Sequence, residues 1–72
     1  AIHGAILQAV TPQENAVVMQ WMLPSLNHQE RHELLSGMRR EAPQPVFEGT
    51  LEIARQNLPR SEWNKLQFAL AC

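Results

Sequence analysis

Hydrophobic residues recur along the chain at the three-to-four-residue spacing of α-helices, in segments that five prolines separate. In the first segment, residues 1–10, Ile2, Ile6 and Val10 share one helical face. Strand signals are poor, because the chain has no Tyr and no Asn-Gly or Asp-Gly hairpin turn. The pattern therefore predicts an all-α fold: a small bundle of four to five short helices with proline-marked corners.

The strongest helix start is Thr11-Pro12-Gln13-Glu14, which has the order of a capping box. The Thr11 hydroxyl can accept a backbone N–H of the first turn, while Glu14 reaches back to the Thr11 N–H. We expect this helix to end near Leu23, because Pro24 disfavours helical geometry at the residue before it. Its broad apolar stripe predicts a helix sandwiched between neighbours. The stripe comprises Val17, Val18, Trp21 and Met22.

Three more helices are predicted by the same signals. Asn27 and Ser61 are the expected N-caps of the third and fifth helices. The fourth helix is expected from Pro45 to about Asn57, after a stiff Ala-Pro-Gln-Pro linker. The three expected apolar faces comprise Leu34, Leu35 and Met38; Phe47, Leu51, Ala54 and Leu58; and Trp63, Leu66 and Leu70.

Composition narrows the class of protein. With 72 residues, the chain is expected to form a single helical domain over residues 1–72. The net charge of -1 lacks the basic excess of a nucleic-acid-binding protein. A single cysteine excludes an internal disulfide framework. The apolar runs are too short for a membrane span, so we expect a cytoplasmic protein. The first residue is Ala rather than Met, so a processed chain or a piece of a longer one is expected.

Candidate metal ligands are limited to His28 and His32, which lie four residues apart and so share one side of a helix. The only other histidine is His3, and no second cluster supplies further ligands. Gln29 stands where a zinc metalloprotease motif needs Glu. A solvated first helical turn is the favoured interpretation, and no metal site is predicted.

Nucleophilic catalysis has little support in the sequence. Ser25, Ser36 and Ser61 lie in no glycine-flanked elbow, and Cys72 is the last residue. The chain also has no glycine-rich phosphate loop. We therefore expect no enzyme, and no catalytic or cofactor-binding residue.

Trp21 and Trp63 lie on apolar stripes, where core packing is the first interpretation and an exposed interface anchor is the alternative. A core of this size cannot cover all the apolar surface of the first two segments. We expect a homo-oligomer or a complex with an upstream helical bundle, without nucleic acid or membrane. The residues predicted at this interface are Ile2, Ile6, Val10, Val17, Trp21 and Met22.

Apolar and proline positions form a further pattern over nearly the whole chain after Val10. It comprises residues 17–24 (VVMQWMLP), 26–31 (LNHQER), 37–38 (GM), 42–47 (APQPVF) and 58–66 (LPRSEWNKL). These runs resemble the C-terminal portion of bacterial hemerythrin-like (HHE cation-binding) domain proteins. In that family such a portion follows a four-helix bundle that carries the metal ligands.

The resemblance implies a non-catalytic helical module of a longer hemerythrin-like protein, related to iron and to oxygen or redox chemistry. The module would pack on the metal-binding bundle or associate with itself. Three histidines cannot supply a di-iron ligand set, so the resemblance implies no cofactor in this chain and a di-iron centre in the parent. The alternative is an independent interaction domain that binds another protein's helix through Trp21 and Met22. A metal site at His28 and His32 is the third interpretation.

Overall fold

A computed structural model describes residues 11–72, and every regular element in that range is an α-helix. The predicted all-α bundle of four to five short helices with proline-marked corners is confirmed. The first predicted helix, with Ile2, Ile6 and Val10, lies outside the described residues. The described helices are α1 (Pro12–Ser25), α2 (His28–Glu41), α3 (Gln44–Asn57) and α4 (Arg60–Ala71).

Capping boxes begin the first two of these helices, as the sequence predicts. The Thr11 hydroxyl accepts the Glu14 N–H at 3.1 Å, and the Glu14 carboxylate accepts the Thr11 N–H at 3.2 Å. Asn27 and Glu30 form the same reciprocal pair at 2.8 and 2.9 Å. Each box satisfies two backbone N–H groups, one at the cap and one in the first turn, so the start of each helix is fixed locally.

Proline positions account for the differences at the other helix ends. α1 continues past Pro24 to Ser25, although Pro24 has no N–H for the regular i→i−4 helical bond. The predicted cap at Ser61 is wrong: α4 begins at Arg60, and Pro59 is its N-cap. Likewise, α3 begins one residue before Pro45. A proline at or beside the cap position needs no N–H partner there, so it starts a helix without a side-chain cap.

The four helices pack in two principal pairs, α1 on α3 and α2 on α4, and α3 also contacts α2 and α4. One hydrophobic cluster joins all four helices. The three predicted faces of α2, α3 and α4 are each confirmed in part, because Leu34, Leu51 and Trp63 are only half-buried while their neighbours are buried. The buried members of the cluster are Met19, Leu23, Leu35, Met38, Val46, Phe47, Ala54, Leu58, Leu66 and Leu70.

Candidate interaction surface on the first helix

α1 turns a different face to the core from the one that its apolar stripe predicts. Asn15, Met19 and Leu23 are the buried residues of this helix, at intervals of four. On the opposite side, Val17, Val18 and Trp21 are 59%, 54% and 76% exposed. We call these three residues the outer face of α1. The predicted packing of the outer face between neighbours is wrong within the described residues, and so is the core interpretation of Trp21.

Two other residues considered for an interface, Met22 and Trp63, are half-buried. Met22 is half-buried and packs against the core cluster, so it does not belong to the outer face. Trp63 is also half-buried against the core, which agrees with its first interpretation. Of the predicted interface residues that the structure describes, only Val17 and Trp21 are therefore exposed.

A buried hydrogen bond holds α1 in this rotation. The Asn15 side-chain amide donates to the Thr50 hydroxyl at 2.6 Å, which joins α1 to α3. The Thr50 hydroxyl in turn donates to the Val46 carbonyl at 2.8 Å. An unpaired polar group in this position would cost about 1–3 kcal/mol. Turning α1 to bury its outer face would break this pair.

Arg31 fixes the far end of α1. Its side chain is 8% exposed, and its Nε donates to the Leu23 carbonyl at 2.8 Å. A second nitrogen reaches the Pro24 carbonyl at 3.4 Å, and the third pairs with the Glu62 carboxylate at 2.9 Å. These carbonyls belong to the last turn of α1, where carbonyls lack their regular i+4 helical donors; the Leu23 carbonyl also accepts the Leu26 N–H at 3.3 Å. One arginine therefore binds α1, α2 and α4 together.

The sequence interpretation missed both Asn15 and Arg31, although their spacing contained the signal. Asn15 lies four residues before Met19, and Arg31 lies four before Leu35, so each continues a buried stripe. A stripe interrupted by a polar residue is easily taken for a solvent-facing edge.

The outer face of α1 carries no charge. The single charged residue of this helix is Glu14, in the first turn. Two hydrogen bonds with Thr11 hold the pKa of Glu14 below the ordinary 4.5. The bond with the Thr11 side chain has the larger effect, and the bond with its backbone has the smaller one.

A small notch of about 160 Å³ lies beside Trp21 and is lined by Gln20 and Asn57. The Gln20 carbonyl lacks its usual helical donor, because Pro24 has no N–H.

The structure places His28 and His32 in the first turns of α2, both half-buried. His28 Nδ1 is buried and has no hydrogen-bond partner among residues 11–72. Within the same range, no group of three or more His, Cys, Asp or Glu side chains could hold a metal ion. A di-iron centre needs several such ligands, so the described residues do not fit one.

Two shallow grooves border Trp63. The first, of about 390 Å³, has apolar walls that include Leu51 and Leu70, with Arg39 at its rim. The Arg39 guanidinium donates to the Leu70 carbonyl at 3.0 Å and lies over the Phe47 ring. The second groove, of about 430 Å³, includes two other arginines and Asn64. Of these two, Arg55 is paired with Glu52 on the same helix.

In comparisons with known proteins, the chain matches no family model, no curated protein and no solved structure. Within residues 11–72, no helix has both the length and the apolarity to cross a membrane.

Proposed function

We propose that this chain is a non-catalytic helical module of a hemerythrin-like protein, and that it associates through the outer face of α1. The observation that carries this function is the outward position of Val17, Val18 and Trp21, each more than half exposed. The resemblance of the proline and apolar pattern to hemerythrin-like proteins supports the kind of parent. In that parent the module packs on the metal-binding bundle or on a copy of itself.

The chemistry of the outer face suits a protein partner. Single exposed apolar residues are common on soluble proteins, but an indole beside two valines on one helical side forms a contiguous patch. Tryptophan is among the residues that contribute most to binding energy when a partner covers them. Covering Trp21 would remove most of its 76% exposed surface from water.

Charge distribution limits the kind of partner. Residues 1–29 contain one charged side chain, Glu14, whereas the other twelve lie in residues 30–72. Nucleic acid and anionic lipid are both bound through Lys and Arg, and α1 has neither. An uncharged, apolar protein surface is the complement of this face. A cytoplasmic location belongs to the same proposal.

The alternative is an independent helical domain that binds the helix of an unrelated protein. The outer face would serve this function equally well, since an exposed Trp21 can fill a groove in either kind of partner. The two functions differ in the parent that they require.

The reading frame upstream of the Ala1 codon tests the proposed parent. We expect it to encode helices that carry several histidines and carboxylates. A frame that starts at this codon, or that encodes no such helices, would contradict the hemerythrin-like parent and favour the independent domain.

Metal analysis of the purified 72-residue chain tests the third interpretation. We expect less than stoichiometric iron and zinc, with the same content in the His28→Gln variant. One metal ion per chain that disappears on His28→Gln would establish a metal site and contradict the proposed role.

A further inference from the structure

We propose that the partner of the outer face is a second copy of this chain, with the two α1 helices packed antiparallel. This pairing rests on the proposed function and assigns its association surface to a symmetric dimer. Twofold pairing is the commonest way in which identical chains cover a shared surface.

The spacing of the outer face makes it complementary to itself in this orientation. When the twofold axis passes near residue 19, Val17 of each copy lies opposite Trp21 of the other. Val18 lies close to the axis, where the two helices approach most closely. Each indole then covers a valine of the opposing copy, and the largest exposed side chain of α1 loses most of its contact with water.

The position of Glu14 selects the antiparallel orientation. With the axis near residue 19, the two Glu14 side chains lie about ten residues apart along the helices, or roughly 15 Å. This separation exceeds the Debye length of about 8–10 Å at ordinary ionic strength, so their repulsion is screened. Parallel pairing would place the two carboxylates side by side beside an apolar contact.

The size of the patch sets the strength of the pairing. An outer face of three residues offers a few hundred Å² per copy, so the total buried area stays below the roughly 1,200 Å² of stable interfaces. We therefore expect a weak, reversible dimer that forms at high micromolar concentration. Because no ion pair contributes, salt should not weaken it.

Sedimentation equilibrium of the 72-residue chain between about 10 µM and 1 mM tests this pairing with a matched pair of variants. Trp21 and Phe68 are both 76% exposed, on α1 and α4 respectively. Trp21→Glu and Phe68→Glu thus each replace an equally exposed aromatic side chain with a carboxylate. Trp21→Glu should raise the dissociation constant by at least about tenfold, because it places a carboxylate in an apolar contact. Phe68→Glu should leave the constant within about twofold of wild type.

A second measurement establishes that both variants are folded. Their urea unfolding midpoints at low micromolar concentration should stay close to that of wild type, since both side chains face solvent in the monomer. A wild-type chain that stays monomeric at about 1 mM would overturn the pairing. Association that survives Trp21→Glu, or that Phe68→Glu weakens equally, would also overturn it. None of these outcomes bears on the proposed hemerythrin-like parent, because the upstream reading frame tests that parent separately.

Discussion

At the scale of single residues, Asn15 and Arg31 determine which sides of α1 and α2 are buried. Both are polar, and both donate hydrogen bonds to neighbouring helices. A buried polar group that is fully paired adds little net stability but costs much when a partner is removed. These two side chains therefore act mainly by making one packing arrangement far more favourable than the others.

Replacing Arg31 tests whether its side chain holds the end of α1 against α2 and α4. Arg31→Ala removes the buried hydrogen bond to the Leu23 carbonyl and the ion pair with the Glu62 carboxylate, so it should lower the free energy of unfolding by about 2–4 kcal/mol. Arg40→Ala, at an exposed position of the same helix, should cost within about 0.5 kcal/mol. Urea denaturation measures both. Equal losses in the two variants would show that Arg31 does not hold the helices together.

A double-mutant cycle tests the Asn15–Thr50 hydrogen bond. Thr50→Val keeps the shape but leaves the Asn15 amide unpaired, so we expect a loss of about 1–3 kcal/mol. Adding Asn15→Leu should recover part of it, because an apolar pair replaces a broken polar one. Effects that simply add would contradict a direct bond between the two side chains.

At the scale of elements, some features of α1 could be predicted from the sequence and others could not. Its capping box and its place in an all-α bundle could be predicted, since both depend on local spacing. Its orientation could not, because apolar residues lie on both sides of the helix. The choice of face depends on Thr50, which is 35 residues from Asn15 in the chain. For the same reason, the candidate surface was predicted only in part, through Val17 and Trp21.

Alanine substitutions on the two faces of α1 should differ greatly in their cost to stability. Leu23 is fully buried, so Leu23→Ala should cost about 2–5 kcal/mol. Trp21→Ala removes a larger side chain from solvent and should change stability by no more than about 0.5 kcal/mol at low micromolar concentration. Thermal unfolding of the two variants compares them. A larger loss for Trp21→Ala would mean that α1 buries the other face.

The capping box of α1 should depend on pH. Thr11 holds the pKa of Glu14 below 4.5, so the ionised carboxylate favours the folded state. This contribution is present above the ordinary pKa and is lost as the pH falls through the lowered folded value. In an NMR titration the Glu14 carboxyl should titrate below 4.5 in wild type and move towards 4.5 in Thr11→Val. An unchanged titration in Thr11→Val would contradict the reciprocal cap.

At the scale of the whole molecule, the bundle has a charged side and a side with almost no charge. α2, α3 and α4 carry all but one of the charged residues that the helices contain, while α1 presents an indole and two valines to solvent. A surface helix of a globular protein normally has charged or polar residues on the side that faces solvent. The outer face of α1 is exposed in the single chain, and we expect it to be covered in the associated one.

Acrylamide quenching of Trp21 fluorescence tests this claim most directly, in a Trp63→Phe background so that one indole reports. We expect efficient quenching at low micromolar concentration, where the chain should be monomeric with Trp21 76% exposed. Towards about 1 mM, quenching should fall several-fold as the second copy covers the indole. An indole that is protected at low concentration, or equally quenched over the whole range, would contradict an outer face that association covers.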